Sequence, residues 1–583
     1  MSNDTDTKMR SEVRDGMQVD WDVPIRMDDG LVLRADVFRP KGNGRYPAIL
    51  SYGPYGKGLS FQEGYPTAWN KMVADHPDVA AGSSNKYQNW EVVDPEKWVP
   101  EGYACIRVDS RGAGRSPGFI NHHAPRETRD FYECIEWAAV QPWCDGKVGL
   151  NGISYYAINQ WRVAALKPPH LTAICAWEGY TDRYRDATRH GGILCTFVKH
   201  WQDMQVKSVQ YGRANGPKSP ITGQLVCGDE SLSDEVLAKN RSNMWEELST
   251  RPLDEAYYRE RSADFANIEV PLISSANWGG HGLHNRGNFE GYARAGSKQK
   301  WLEVHGGAHW AEFYTDYGVD IQKRFFAHFL KGEKNGWDRQ PAVQLQVRHV
   351  DKFVQRHESE WPIARTQWTK FYLDPASKSL STTTPKAAGS VSYDGMGEGV
   401  TFSTAPLTEP LEITGPSAIK LFVASSTNDA DIFAILRVFD PQGKEVVFHG
   451  ALDPHSPIAQ GWLRASHRKL DAKMSLPYRP YHTHDEIQKL KPGEVAELDV
   501  EVWNTSIVVP VGYRLALTIQ GKDYEWDGPA ASLSNMKNPM RGCGPFIHDD
   551  PDDRPASVFG GKVTLHSSGA QPAYILLPVI PPK

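Results

Sequence analysis

The pattern of hydrophobic and polar positions changes several times along the 583 residues of this chain. Around Asp29-Gly30, apolar and polar residues alternate on both sides of a turn, which predicts a β-hairpin. Farther along, short apolar runs typical of buried strands recur, separated by amphipathic stretches such as 128–141. Strands that alternate with helices predict a mostly parallel sheet covered on both faces. The predicted strands are 47–52, 103–109, 147–151, 171–177, 270–275 and 300–304.

Two later segments break this rhythm. Residues 183–262 are charged and carry helical patterns without strong strand runs, which predicts a helical cap over the carboxyl edge of the sheet. After about 340, short alternating segments separated by turn residues predict an all-β sandwich of the jelly-roll type. We therefore expect an α/β core over 1–182 and 263–340, a helical cap over 183–262, and a β domain over 341–583.

Composition and charge narrow the choice of partners. The net charge is −6 and the basic residues are scattered, so we expect no nucleic-acid partner. The first seven residues are polar and lack the apolar stretch of a signal peptide, and no run of about 18 apolar residues predicts a membrane span. The seven cysteines are dispersed without a Cys-x-x-Cys pair, which is typical of reduced thiols in a cytoplasmic protein.

The stretch Gly152-Ile153-Ser154-Tyr155-Tyr156 is the strongest candidate for chemistry. It follows the strand-like run 148–151 and precedes a helix-like run over 157–166. A strand, a tight turn with a central serine and a helix are typical of a nucleophile elbow. Gly152 lets strand and helix approach closely, and Ser154 stands at the helix N-terminus, where negative charge is favoured. The usual signature has a second glycine, where this chain has Tyr156.

A serine hydroxyl needs a general base, which in this fold class lies in the loop after the last core strand. That loop is His305-Gly306-Gly307-Ala308-His309-Trp310. We predict that His309, beyond the flexible glycine pair, is the base. His305 lies nearer the strand and is expected to be structural.

The acid that orients the base is less obvious. After the strand that ends near Trp278, no carboxylate appears before Glu290. Glu178 directly follows the strand 171–177 and would also reach the carboxyl edge of the sheet, so it is the favoured acid. Glu290 and Asp182 are the alternatives, and Glu178 could instead pair with a nearby arginine.

Two further features bear on the site. The backbone N–H of Tyr155, next to the nucleophile, is a predicted oxyanion donor, and the loop 52–57 is the second region for one. The histidines His281, His284, His305 and His309 have a spacing loosely compatible with zinc, but they lie in glycine-rich loops, and we expect neither a metal nor another cofactor.

Several longer stretches carry a resemblance to a known family. The segment 107–118 resembles an Asp-x-Arg-Gly-x-Gly-x-Ser-x-Gly loop, and 141–149 followed by 152–155 is a specific match. The chain resembles the CocE/NonD-type serine hydrolases, the group of cocaine esterase, α-amino acid ester hydrolases and X-Pro dipeptidyl-peptidases. The resemblance implies an α/β-hydrolase core, a helical cap and a C-terminal jelly-roll domain. The C-terminal region is similar to that jelly-roll domain, including the stretch 462–467. It also implies that Tyr55 is the oxyanion tyrosine. The family's usual aspartate, two residues after Trp278, is replaced by Gly280.

The expected function is that of a serine hydrolase that cleaves an ester or amide of a small molecule through an acyl-enzyme on Ser154. Esters are favoured, because no carboxylate cluster that would bind a peptide amine is recognisable. An X-Pro-type dipeptidyl peptidase, a lyase or acyltransferase on the same fold, and a non-catalytic binding protein are the alternatives. We expect no membrane partner, and assembly as a homodimer stays open.

Overall fold

The computed structural model describes residues 9–534, 536 and 538–582. The polar segment over 1–7, from which the absence of a signal peptide was predicted, lies outside the described residues. No helix in the described ranges is long and apolar enough to cross a membrane.

The first part of the chain forms an eleven-stranded sheet. Its central strands are parallel, and an antiparallel strand pairing flanks them at each side. In spatial order the strands run β1-β2-β3-β5-β4-β6-β7-β10-β11-β12-β13. Their bounds are β1 (Arg10–Arg14), β2 (Met17–Arg26), β3 (Val32–Pro40), β4 (Tyr46–Gly53), β5 (Ala104–Asp109), β6 (Cys144–Ile153), β7 (Leu171–Trp177), β10 (Leu272–Asn277), β11 (Lys300–His305), β12 (Val343–Arg348) and β13 (Phe353–Glu358).

Helices cover both faces of this sheet because successive strand residues point in opposite directions. Leu50 and Ile106 pack on one face with the apolar stripe of α4, whereas Ile49 and Cys105 pack on the other with that of α11. The helices of the chain are α1 (Phe61–Gly64), α2 (Pro66–Asp75), α3 (Pro95–Trp98), α4 (Pro125–Ala139), α5 (Tyr155–Ala164), α6 (Phe197–Trp201), α7 (Asp234–Lys239), α8 (Met244–Ser249), α9 (Ala256–Arg259), α10 (Asn285–Arg294), α11 (Asp316–Lys331) and α12 (Ala556–Phe559). The predicted parallel sheet with helices on both faces is confirmed.

The segment between β7 and β10 is built from short elements. A π-helical turn over Arg183–Thr188 leads into the small hairpin β8 (Arg189–His190) and β9 (Ile193–Leu194), and α6 to α9 follow. Helix α6 lies over the carboxyl edge of the sheet, since its Trp201 contacts Tyr55 in the loop after β4.

The last part of the chain consists mainly of β-strands, and its sheet closes on itself because β24 pairs with both β14 and β18. This closed sheet fits the predicted jelly-roll domain. Its strands are β14 (Gln367–Asp374), β15 (Ser379–Ser381), β16 (Gly389–Asp394), β17 (Val400–Ser403), β18 (Leu411–Ser425), β19 (Asp431–Phe439), β20 (Ala459–Arg464), β21 (Ala496–Val509), β22 (Arg514–Gln520), β23 (Lys562–Ser567) and β24 (Tyr574–Val579).

The first sheet continues past residue 340, where the sequence placed the start of the β domain. Strand β12 pairs with β11 in parallel, and β13 adds to β12 as an antiparallel edge. The buried Arg348 at the end of β12 donates to the carbonyl oxygen of Ser506 in the β domain, at 2.7 Å. These two strands therefore join the two parts of the protein.

Candidate active site

Ser154 lies in the sharp turn between β6 and α5. Its backbone has φ 56° and ψ −115°, a left-handed conformation that is strained for a residue with a side chain. The N–H of Ser154 donates to the carbonyl oxygens of Trp177 and Glu178, both at 3.1 Å, which fixes the turn against the end of β7. This strand-turn-helix geometry is that of a nucleophile elbow.

The elbow accommodates a tyrosine in place of its second glycine because the surrounding positions are small. A Cβ added at Gly152 would lie 2.5 Å from the Cβ of Tyr156, and one added at Gly53 would lie 2.6 Å from the Tyr156 ring. The absence of side chains at Gly152 and Gly53 therefore makes the space that Tyr156 fills.

Glu178 follows β7 directly and is fully buried. Its backbone is left-handed, with φ 47°, and its N–H donates to the carbonyl oxygen of Ser275 at 2.7 Å. One carboxylate oxygen lies 2.8 Å from Nδ1 of His309 and the other lies 2.9 Å from Nε2 of His305. Burial acts to raise the pKa of Glu178, but the two histidines overcome this and lower it to about 2. Glu178 is therefore a buried carboxylate shared by two histidines.

His309 is held between two carboxylates. Nδ1 faces Glu178, and Nε2 lies 2.7 Å from Oε1 of Glu91 rather than on Ser154. Burial acts to lower the pKa of His309, but Glu178 and Glu91 raise it to about 10. The backbone N–H of His309 donates to the carbonyl oxygen of Ala451 in the β domain, at 2.7 Å. In this arrangement His309 carries a proton on each nitrogen.

Glu91 is a residue of the site that the sequence did not single out. It is buried, its backbone is left-handed with φ 65°, and its carbonyl oxygen accepts the N–H of Ile153 in the elbow strand. Its Oε2 has no hydrogen-bond partner among the described residues. Burial raises the pKa of Glu91 to about 7, although the hydrogen bond from His309 opposes the shift. Glu91 lies in an irregular loop, where no periodic pattern marks a residue as part of a site.

His284 contacts the hydroxyl of Ser154 directly. Its Nε2 lies 3.0 Å from Oγ of Ser154, and its Nδ1 accepts the backbone N–H of Tyr180 at 3.2 Å. Burial and the nearby charge of His309 hold the pKa of His284 well below its usual range. A neutral imidazole that accepts at Nδ1 carries its proton on Nε2, so His284 donates to Ser154. The ring of His284 stacks on that of His309 with centroids 5.3 Å apart.

The other predicted carboxylates contact arginines. Glu290 pairs with Arg479 and with Arg294, and Asp182 pairs with Arg185 while it caps the π-helical turn. Neither is hydrogen-bonded to a histidine in the described part of the chain. Among the three candidates for the acid, Glu178 alone has its carboxylate on His309.

The four loop histidines do not form one cluster. Both ring nitrogens of His281 bind backbone groups of the β domain, the carbonyl oxygen of Asn504 and the N–H of Gln460. His305 lies between Glu178 and Glu303, 2.9 Å from each. The zinc spacing of these histidines in the sequence therefore has no counterpart in their spatial arrangement.

One group of three possible metal ligands occurs within the described ranges: His190, Cys195 and His548 have their ligand atoms within 4.8 Å of one another. Nδ1 of His190 lies 2.8 Å from Nε2 of His548, whose Nδ1 lies 2.8 Å from Asp523. None of the three lines the cavity of Ser154. We therefore assign this group no part in the chemistry at the serine.

The two predicted oxyanion donors lie beside the elbow. The hydroxyl oxygen of Tyr55 accepts the indole N–H of Trp201 at 3.1 Å, so its own hydrogen is free to be donated. Burial raises the pKa of Tyr55 well above its ordinary value, and the hydroxyl stays protonated. The N–H of Tyr155 is in the first turn of α5, where N–H groups lack a partner within the helix. The Tyr155 hydroxyl points away and donates to Glu127 at 2.7 Å.

These groups face a cavity with about 700 Å³ of atom-free space, part of it open to solvent. Ser154, His284, His309, Glu91 and Tyr55 all line it. Its remaining wall is mainly apolar and aromatic, and it includes Trp90, Phe197, Trp201, Met244, Leu452 and Phe546. The wall draws on the core, the cap segment and the β domain.

A strained serine between a parallel strand and a helix, with a histidine–carboxylate pair at the same sheet edge, defines a serine hydrolase of the α/β-hydrolase class. Models of known families match most of the chain. The X-Pro dipeptidyl-peptidase (S15 family) matches residues 29–311, and the X-Pro dipeptidyl-peptidase C-terminal non-catalytic domain matches residues 335–538.

Individual relatives agree with this assignment. The cocaine esterase of Rhodococcus sp. is 23% identical over 86% of this chain and 90% of its own length. A CocE/NonD family hydrolase from Staphylococcus aureus has a TM-score of 0.83 and 29% identity, covering 98% of this chain and 97% of its own. An α-amino acid ester hydrolase shares the fold, with a TM-score of 0.66 and 17% identity over 99% of this chain and 98% of its own. The chain belongs to the CocE/NonD-type serine hydrolases, and it is a serine hydrolase that acts on esters or amides.

Proposed function

We propose that Ser154 is the nucleophile and that its Oγ attacks the carbonyl carbon of an ester. The observation that carries this proposal is the strained elbow, which presents Oγ to the cavity beside the His309–Glu178 pair. The Oγ–carbon bond forms, the alcohol leaves with a proton from His309, and water then releases the acid from Ser154. Because the wall of the cavity is mainly apolar, the acyl group that it binds is a small organic one in this proposal.

His309 is the general base in this proposal, and Glu178 orients it through Nδ1. In the resting arrangement, Nε2 of His309 is protonated and faces Glu91. His309 can act as a base once this Nε2 proton is lost. Hydrogen bonds of the catalytic groups are often realigned when substrate binds. The N–H of His284 donates to Oγ of Ser154 and so leaves the serine's own proton free for His309.

Tyr55 and the N–H of Tyr155 hold the oxyanion in this proposal. They approach from the loop after β4 and from the first turn of α5, so the negative charge develops between two donors and at a helix N-terminus. Trp201 of α6 fixes the Tyr55 hydroxyl through its indole N–H, which gives the cap segment a part in positioning this donor.

A fluorophosphonate probe tests the nucleophile without knowledge of the natural substrate. We expect the folded wild type to be labelled and Ser154→Ala to be unlabelled, with the label mapped to Ser154 by mass spectrometry. His309→Gln should fold normally and label at least 100-fold more slowly, by analogy with the loss of a triad member in other serine hydrolases, where about 10³- to 10⁶-fold is typical. An unlabelled but folded wild type, or equal labelling of Ser154→Ala, would overturn the assignment.

A further inference from the structure

Arg183 is a buried guanidinium in the wall of the active-site cavity and has no carboxylate partner in the described part of the chain. Only 3% of the residue is exposed, and it begins the π-helical turn after β7. Its Nη1 donates to the hydroxyl oxygen of Tyr180, whereas Nε and Nη2 have no hydrogen-bond partner among the described residues. Arg183 therefore lines the cavity that also holds Ser154, and two of its donor nitrogens are not used by any described residue.

Such a group is costly to bury unless something pairs with it. A guanidinium removed from water loses much of its hydration, and each donor left without a partner adds a further cost. The hydroxyl of Tyr180 accepts a hydrogen bond from one nitrogen of Arg183, but it supplies no negative charge while it is protonated. The two remaining N–H directions match the bidentate geometry of a carboxylate.

The surroundings of Arg183 add positive charge. Burial and the charges of Arg183, Arg162 and Arg261 hold the pKa of His123 well below its usual range, so His123 is neutral. The carboxylate of Glu127 is committed to the hydroxyl of Tyr155 and to the backbone N–H of His123, at 2.6–2.7 Å. This end of the cavity is therefore basic, with Arg183 as the arginine in its wall.

The basic end is connected to the nucleophile through two stacked rings. Tyr180, which binds Arg183, stacks on His284 with centroids 5.9 Å apart, and His284 contacts Oγ of Ser154. A small molecule with its acyl carbon at Ser154 can thus extend along Tyr180 towards Arg183. Glu91 pairs with the protonated His309 in the same wall, whereas Arg183 is a charged group of the wall that has no carboxylate partner among the described residues.

We propose that Arg183 binds a free carboxylate of the substrate, so that the preferred substrates are esters or amides that carry a second, anionic carboxyl group. This inference rests on the proposed function, because it places the acyl carbon of the same molecule at Ser154. Nε and Nη2 donate to the two carboxylate oxygens and Tyr180 supports the guanidinium. The anion selects the substrate and orients it, and the covalent step at Ser154 is unchanged.

The rate of fluorophosphonate labelling in the presence of benzoate or benzamide tests this site. The two compounds have the same size and differ in charge. Benzoate should slow the labelling of wild type at concentrations about 10- to 100-fold lower than benzamide, the range expected for a charge-assisted, bidentate hydrogen bond. In Arg183→Gln this difference should disappear, and in Arg183→Lys it should be reduced.

Arg261→Gln is the matched control, because it removes a nearby positive charge that does not line the cavity. The control should keep the advantage of benzoate over benzamide. Each variant is compared with its own rate in the absence of either compound. Equal protection by the two compounds in wild type, or an unchanged preference for benzoate in Arg183→Gln, overturns the carboxylate site.

Failure of the proposed function is distinguishable from failure of this inference. If the folded wild type is not labelled at all, the assignment of Ser154 fails, and the carboxylate site is then judged by melting temperature. Benzoate should raise the melting temperature of wild type more than benzamide does. If Arg183→Gln does not fold, Arg183→Lys and the wild-type comparison decide the outcome by the same criteria.

Discussion

At the scale of single residues, Glu178 determines how His309 is oriented. Its two oxygens are divided between His309 and His305, and its backbone is tied to the next strand through Ser275. A carboxylate held so rigidly selects the imidazole tautomer that can accept a proton from serine.

Glu178→Gln should leave the fold intact and lower kcat by about 10³- to 10⁴-fold, since an amide cannot stabilise the imidazolium as a carboxylate does. Steady-state hydrolysis of a p-nitrophenyl ester gives the readout. Glu290→Gln, which changes a carboxylate paired with arginines, is the control for nonspecific loss. Near-normal kcat in Glu178→Gln would remove Glu178 from the mechanism.

Glu91 should set the acidic limb of the pH profile. It is one of the two carboxylates that raise the pKa of His309 to about 10, and protonated His309 cannot act as a base. In Glu91→Gln the negative charge that stabilises the imidazolium is removed. The pKa of His309 therefore falls, and its base form appears at lower pH. The acidic limb of kcat/KM should therefore move to lower pH.

The pH dependence of kcat/KM checks this shift. Glu101→Gln alters a surface carboxylate that pairs with Lys323 and should leave the limb in place. A limb that moves to higher pH in Glu91→Gln contradicts the proposed link between Glu91 and His309.

At the scale of elements, the elbow depends on the close approach of β6 and α5. The space for Tyr156 exists because Gly152 and Gly53 have no side chains, and the strained turn at Ser154 is held by hydrogen bonds that its N–H donates to carbonyl oxygens at the end of β7. Neither strand nor helix alone would keep the serine in this conformation.

Gly152→Ala should destabilise the protein by about 1–3 kcal/mol, the range for overpacking in a dense interior, because its Cβ would meet Tyr156 at 2.5 Å. Urea unfolding gives the free energy. Gly389→Ala, where the nearest atoms to a new Cβ are 3.6 Å away, should change it by less than about 0.5 kcal/mol. Equal stability of both variants would show that the elbow is not tightly packed.

At the scale of the whole molecule, the β domain takes part in building the site. The carbonyl oxygen of Ala451 accepts the N–H of His309, and the N–H of Ala451 donates to the carbonyl oxygen of Gly279 at 3.0 Å. The loop of His309 after β11 is therefore held by a segment more than a hundred residues away in the chain.

Gly279→Ala should separate these two segments, since its Cβ would lie 2.3 Å from the Cα of Gly450. Displacement of His309 by about 1 Å is expected to lower kcat by about 10- to 100-fold. Gly397→Ala, a β-domain glycine whose added Cβ would make ordinary contacts at 3.4 Å, is the control for ester hydrolysis. Unchanged kcat in Gly279→Ala would show that the β domain does not position His309.

Much of the architecture was predictable because local patterns of apolar and polar residues indicate its strands and helices. Buried strands appear as short apolar runs and the helices between them as periodic ones, so the parallel sheet followed from the sequence. The elbow around Ser154 and the loop of His309 could be located because each directly follows such a strand. Glu178 could be named for the same reason, although the sequence did not distinguish it from Glu290 or Asp182 by its contacts.

The sequence by itself thus determined the fold class and the strand ends at which reactive side chains gather. The tertiary structure alone decided that Glu91 lies on Nε2 of His309, that His284 contacts Ser154, and that Arg183 lines the same cavity with no carboxylate partner among the described residues. These residues come from irregular loops and turns, in which the neighbours of a side chain are set by packing between distant segments and not by any periodic signal. Contacts and burial also fix their charges, because a pKa depends on the groups that surround it in space.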